Sequence, residues 1–347
     1  MRALRKIRAE FGAMEIQNIP EPEMKPNYVK IKVAFAGICG SDMKFYHWTQ
    51  RPGLNIPIPV TLGHEFSGAV VEVGEAVTNI SVGDRVTSET PKYYCGKCEY
   101  CRTGHILLCK DKKSIGYQTD GAMAEYITVP QELVHHVPDN VALEDAALCE
   151  PASVAAHAVY DKADIGPGDM VVIFGPGPIG LLTLEHVLCC GAKAILVGLS
   201  KDAERLEIGK SLGASHIIYS DRDDVVEKVK ELTGGRGADA AFECAGVGTV
   251  LNQAPRVLRR MGKLVIVSLF KPGEIPIDVW NNVVNYEIEI VGSYGQRYKN
   301  WEKVLELLSE EKLNFKPVIS HIIDLENWEE AFGISERQEG LKILLKP

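Results

Sequence analysis

Short runs of alternating apolar and polar residues mark the first part of the chain. Val29-Lys30-Ile31-Lys32-Val33-Ala34, Ala69-Val70-Val71-Glu72-Val73-Gly74 and Ala124-Glu125-Tyr126-Ile127-Thr128-Val129 each lie between glycine or proline turn signals. A period of two predicts half-buried strands. From about residue 165 the rhythm changes. Apolar runs (Met170 to Phe174, Ala194 to Val197, Ala240 to Glu243, Lys263 to Ser268) alternate with amphipathic segments of helix length. That order is βαβ and predicts a parallel sheet covered on both faces. A helix over Trp301 to Leu308 and a strand over Leu341 to Leu345 complete the pattern. There is no internal repeat and no low-complexity linker. The two textures predict two domains, a β-rich one up to about residue 150 and an α/β one from about 165.

Composition narrows the class of function. The 347 residues amount to about two ordinary domains. With 46% apolar and 24% charged residues the chain is ordinary globular protein. A net charge of −9 argues against general binding to nucleic acid or anionic membrane, since both need a basic surface. No apolar run approaches the ~20 residues of a membrane span. The start, Met1-Arg2-Ala3-Leu4-Arg5-Lys6, has no apolar signal core, so a soluble cytoplasmic protein is expected. Nine cysteines then need explaining. Cys95, Cys98, Cys101 and Cys109 crowd one short stretch, while Cys39, Cys149, Cys189, Cys190 and Cys244 are scattered. An odd count without a signal peptide favours metal ligation over disulfides.

Two kinds of chemistry follow from local motifs. Val171-Val172-Ile173-Phe174 leads into Gly175-Pro176-Gly177-Pro178-Ile179-Gly180 and then a helical run. A G-x-G-x-x-G between strand and helix is the context for dinucleotide binding. Gly175 permits the turn, Gly177 admits a pyrophosphate, Gly180 allows close helix packing, and the helix N-terminus favours the phosphate charge. The next strand ends in Gly198-Leu199-Ser200-Lys201-Asp202, with Arg205 beyond, where an acid would normally hold the adenosine ribose. Lacking a carboxylate at Gly198, and with Ser200, Lys201 and Arg205 as candidate phosphate contacts, the loop favours NADP+ slightly over NAD+. Asp202 swinging back to the ribose, or capping a helix start, is the alternative. The spacing Cys95, Cys98, Cys101, Cys109 suits a closed, tetrahedral structural zinc. Elsewhere Cys39, His64-Glu65 and Glu150 each have a bland reading alone. Together they supply the thiolate, imidazole and carboxylates of an open catalytic zinc.

These motifs, in this order, resemble the zinc-dependent medium-chain dehydrogenases, the alcohol and polyol dehydrogenase superfamily. Gly63-His64-Glu65 with Gly68 and Gly74, Cys39-Gly40-Ser41-Asp42, the four-cysteine loop and the glycine loop carry the resemblance over essentially the whole chain. It implies an α/β protein: a GroES-like β-rich catalytic domain over 1–153, completed by 296–347, a Rossmann domain over 154–295 inserted before that last segment, and zinc and nicotinamide held in a cleft between them. It also implies a homotetramer or dimer.

The branch follows from the ligand set. Alcohol dehydrogenases proper place a cysteine where this chain has Glu150-Pro151. Cys39, His64, Glu65 and Glu150 instead resemble the sorbitol (polyol) and threonine dehydrogenases. By that resemblance Cys39, His64 and Glu65 bind zinc, Glu150 binds it directly or through its water, and Asp42 orients His64. The implied reaction is reversible hydride transfer from a secondary alcohol to NAD(P)+, with Ser41 passing the hydroxyl proton onward. Lys44 stands where the family often has the outer histidine of the proton relay. It is a candidate for the relay, a cofactor contact or a substrate phosphate. Gln296-Arg297-Tyr298-Lys299-Asn300-Trp301 resembles a segment in which Arg297 and Tyr298 face polyol hydroxyls, the alternative being a polar cap for the following helix. A polyol is the expected substrate, then a polyol phosphate, then threonine. A zinc-poor structural or binding relative is the non-enzymatic alternative, and metal content separates the two.

Overall fold

The computed structural model describes residues 1–49, 55–270 and 273–347. The chain forms two compact units. The first comprises 1–150, 297–311 and 319–347, the second 151–296 and 312–318. Residues 312–318 therefore belong to the α/β unit, although the family resemblance assigned them to the β-rich one. The backbone amide of Asn314 donates to Glu185 at 2.5 Å, and the Cys189 thiol meets the Lys312 carbonyl at 3.6 Å. Such backbone ties leave no apolar periodicity to read.

In the first unit a seven-stranded sheet runs in the order Val134–His136, Arg85–Ser88, Glu65–Val73, Tyr28–Gly37, Lys342–Lys346, Ile319–Asp324, with Tyr126–Pro130 also pairing to Tyr28–Gly37. Tyr28–Gly37 obeys the predicted alternation at its start. Val29, Ile31 and Val33 are buried, while Lys30 points out to Glu21 and Glu72. Phe45, Phe66, Val70, Ile127, Phe332 and Ile343 pack on the same core. A smaller sheet joins Met14–Asn18, Arg2–Lys6 and Val60–Thr61.

The second unit is a six-stranded parallel sheet in the order His216–Tyr219, Lys193–Gly198, Met170–Phe174, Ala238–Glu243, Leu258–Ile266, Glu289–Gly292. Strand order reverses direction beside Met170–Phe174, and dinucleotides bind at the carboxyl ends of strands at such a point. Helices Pro178–Cys189, Ala203–Ser211 and Val225–Leu232 connect the strands. The central strands are buried along their length, hence their unbroken apolar runs. Among the described residues no helix is long and apolar enough to cross a membrane.

Candidate metal centres and dinucleotide loop

The four-cysteine loop is built by backbone geometry. The Cys98 amide donates to the Cys95 sulfur at 3.4 Å, and the Cys95 amide to the Cys109 sulfur at 3.5 Å. Amides of Lys97 and Cys98 hold the Cys95 thiol down at about 6, so it is anionic at neutral pH. Sulfurs of Cys95 and Cys101 lie 3.9 Å apart, those of Cys98 and Cys101 3.4 Å. Four sulfurs at ~2.3 Å from one zinc stand about 3.8 Å apart in a tetrahedron. None of the four is in a disulfide, and their ligand atoms converge within 4.8 Å. The cluster fits a zinc ion.

The second centre gathers distant pieces of the first unit. Cys39 immediately precedes helix Gly40–Tyr46, and its amide donates to Asp42 at 2.8 Å. His64 and Glu65 come from the entry to strand Glu65–Val73. Ligand atoms of Cys39, His64 and Glu65 lie within 4.8 Å of one another. Asp42 is fully buried, with Oδ1 3.9 Å from His64 Nδ1, and neither atom has a hydrogen-bond partner among the described residues. Burial alone would lower the His64 pKa, but Cys39, Asp42 and Glu150 hold it well above the usual imidazole value. This excess of acidic groups around buried donors suits a divalent cation, so the residues present fit zinc.

Glu65 has a partner that the motif did not reveal. Lys342 Nζ lies 2.9 and 2.7 Å from its two carboxylate oxygens and donates to the Ile38 carbonyl at 3.1 Å. Both side chains are buried. Burial would lower Lys342, yet Glu65, Cys39 and Glu150 keep its pKa above the ordinary lysine value. Glu65 is thus shared between the metal donors and a buried lysine. Glu150, buried at the start of helix Cys149–Ala158, is outside the converging set and acts on His64 through its charge. Tyr117, also absent from the sequence reading, lays its ring on His64 with centroids 5.4 Å apart.

Of the remaining predicted residues, Ser41 and Lys44 share one face of helix Gly40–Tyr46, three positions apart. Ser41 is buried and lies beside the Tyr117 phenol. His47 faces Glu336 and Phe11, as a loop residue should. Arg297 is the N-cap of helix Tyr298–Ser309, its amide donating to Asn300 at 2.8 Å, which is the capping alternative for its backbone. Its guanidinium reaches towards Gly104 in the four-cysteine loop. Tyr298 lies on His135, ring centroids 4.9 Å apart. His135 is buried, stacks on Trp301 at 5.2 Å, and contacts Glu302 at 2.5 Å.

The glycine loop follows the expected geometry in the second unit. Gly175 has φ +99°, and a side chain on Gly180 would sit 1.9 Å from the Gly175 carbonyl. Gly177 caps helix Pro178–Cys189, with Pro178 and Ile179 opening its first turn. Gly198 ends its strand as predicted, but its lack of a side chain has a packing cause. A Cβ there would lie 2.9 Å from Pro176 and 3.1 Å from Leu206. Packing thus gives the glycine at 198 a cause of its own, and the strand end still carries no carboxylate. Asp202 accepts the Leu199 amide at 3.1 Å, so it caps the turn over Ser200, Lys201 and Asp202.

Comparison with known proteins agrees with this geometry. Residues 25–139 match the alcohol dehydrogenase GroES-like domain and residues 178–310 the zinc-binding dehydrogenase domain. The chain belongs to the zinc-dependent medium-chain dehydrogenase family, on its polyol-dehydrogenase-like branch. It is an NAD(P)-dependent zinc dehydrogenase of the alcohol and polyol type. A sorbitol dehydrogenase from Halalkalibacterium halodurans is 41% identical, with 100% of this chain and 99% of that protein aligned. A D-arabitol-phosphate dehydrogenase from Enterococcus avium is 36% identical over 100% of this chain and 97% of its own. The crystal structure of 2R,3R-butanediol dehydrogenase from Bacillus subtilis superposes with a TM-score of 0.89 at 36% identity, covering 100% and 99%.

Proposed function

We propose that the protein oxidises a secondary hydroxyl of a polyol to the ketone with NAD(P)+, reversibly. The observation that carries this reading is the convergence of Cys39, His64 and Glu65, with Glu150 outside the converging set, in a chain so similar to a sorbitol dehydrogenase. Cys39, His64 and Glu65 would hold a zinc ion, which would supply Lewis acidity towards a substrate hydroxyl or carbonyl, and the glycine loop would hold the nicotinamide cofactor that supplies hydride chemistry. The chain's own residues do the rest. Asp42 fixes the face that His64 presents to the metal. Glu150, with no ligand atom in the converging set, acts through a water rather than as a direct ligand. Ser41 accepts the hydroxyl proton as it leaves the substrate, with Lys44 one helical turn further along the same face.

Cys95, Cys98, Cys101 and Cys109 hold a second zinc that stiffens their loop. A polyol phosphate is the second reading, supported by the arabitol-phosphate relative and by two cations in the sequence, Lys44 and Arg297. The test is reduction of NAD+ and NADP+ by zinc-loaded protein against free polyols, polyol phosphates, threonine and simple secondary alcohols. Turnover of a free polyol with its phosphate inert supports the first reading. Preference for the phosphate supports the second, and silence across the panel with two zinc ions bound sinks both.

A further inference from the structure

We infer that this chain selects NAD+ over NADP+ and that Asp221, in the turn after the strand His216–Tyr219 that neighbours the one ending at Gly198, makes the selection. The inference rests on the dinucleotide reading of the glycine loop and adds the choice of cofactor to it. Strand Lys193–Gly198 pairs in parallel with His216–Tyr219, placing Gly198 opposite Tyr219. The chain leaves that neighbouring strand through Ser220, whose amide donates to the Gly198 carbonyl at 2.8 Å. Asp221 follows, and its carboxylate accepts the Ser200 amide at 2.9 Å. The contact with Ser200 holds the Asp221 carboxyl below its usual range, so it is charged at neutral pH.

The geometry returns an acid to the place from which packing removed one. Pro176 of the glycine loop lies where a Gly198 side chain would be, so no carboxylate can grow from the strand end itself. Asp221 supplies it from the adjacent loop. A 2′-phosphate bound in this turn needs free amide donors. Here the amides of Leu199 and Ser200 are already given to Asp202 and Asp221. The phosphate would meet two carboxylates, whereas a ribose hydroxyl can donate to one of them. Lys201 and Arg205 are the opposing cations, and neither is without a partner.

The test needs neither substrate nor turnover. The purified protein is titrated with NADH and with NADPH, following the fluorescence of the bound nicotinamide. NADH binds the tighter by about tenfold, and raising salt narrows that gap because the discrimination is repulsive. Asp221→Asn keeps an acceptor for the Ser200 amide and removes the charge. In that variant the NADH to NADPH affinity ratio falls by about tenfold, mainly through tighter NADPH. Wild-type binding of NADPH at least as tight as NADH overturns the inference, as does a ratio in Asp221→Asn within twofold of wild type. Binding of neither nucleotide overturns the dinucleotide reading, a different failure from binding both alike.

Discussion

At the scale of single residues, the pair Glu65 and Lys342 decides how the metal centre behaves when empty. A buried ion pair is costly to break by removing one partner, because the other charge is stranded. In Lys342→Met the Glu65 carboxylate loses the buried cation that touches both of its oxygens. In chelator the variant loses about 3 kcal/mol of unfolding free energy in urea relative to wild type. Zinc recovers much of that loss, since the ion replaces the lysine as counter-charge. Equal stability of the two proteins in chelator contradicts the pairing.

Glu150 lies outside the converging donors, and its removal acts differently. Glu150→Ala lowers turnover far more than stability and leaves two zinc ions per chain by metal analysis. Wild-type turnover in that variant removes Glu150 from the chemistry.

His186, in the second unit, offers a separate titration. It is fully buried, accepting from the Tyr160 hydroxyl at 3.0 Å and donating to the Ala152 carbonyl at 3.1 Å. Burial lowers its pKa from 6.5 to about 4. The unfolded chain takes up the proton first as pH falls. Its contribution is therefore complete above pH 6.5 and is lost progressively towards pH 4, at no more than about 1.4 kcal/mol per unit. His186→Gln flattens the stability profile over that window, as measured by urea unfolding at successive pH values.

At the scale of elements, the apolar pattern located strands better than it bounded them. Met170–Phe174 begins and ends where the run of apolar residues does, because a central strand is buried along its length. Leu258–Ile266 starts five residues before the run at Lys263, since Leu258 already pairs with Ala238 and Arg259, Arg260 and Met261 then form an irregularity in the ladder, their side chains partly or largely exposed. Helix Tyr298–Ser309 begins three residues earlier than its apolar face, under a cap formed between Arg297 and Asn300. Caps and edges are written in backbone hydrogen bonds, which hydrophobic periodicity does not encode.

Gly198 shows the same limit in reverse, a residue legible by position but not by cause. Gly198→Asp would install the ribose acid by motif logic. Its Cβ instead meets Pro176 at 2.9 Å. The variant binds NADH several-fold more weakly, by fluorescence titration, because the glycine loop must move. Tighter binding contradicts the packing account.

At the scale of the whole molecule, the two metal centres differ in how their donors are arranged along the chain. The four-thiolate loop draws on residues 95 to 109 and was visible from spacing alone. The other centre was visible only in part. Cys39 and His64-Glu65 sit in local motifs, but Lys342 lies 277 residues beyond Glu65 and looks like any lysine in a strand. Asp221 escaped notice for a similar reason, since parallel pairing rather than sequence distance brings it to Ser200. The donor sets also differ in softness and in competition. Four cysteine sulfurs would bind zinc as a uniformly soft donor set, whereas one carboxylate of the second set is contested by a lysine. Dialysis against a moderate chelator therefore leaves one zinc per chain before it leaves none, by elemental analysis. Cys98→Ser reverses the order, the loop losing its ion first and becoming open to proteolysis between 95 and 109.

The distance between Glu65 and Lys342 also orders events during synthesis. At ~5–20 residues per second the ribosome adds the lysine many seconds after the glutamate, when the four cysteines have long since emerged. A nascent chain can thus take up its loop zinc while still attached. Its other centre, with the Glu65 carboxylate lacking its internal counter-ion until the sheet receives strand Lys342–Lys346, reaches its final form only afterwards.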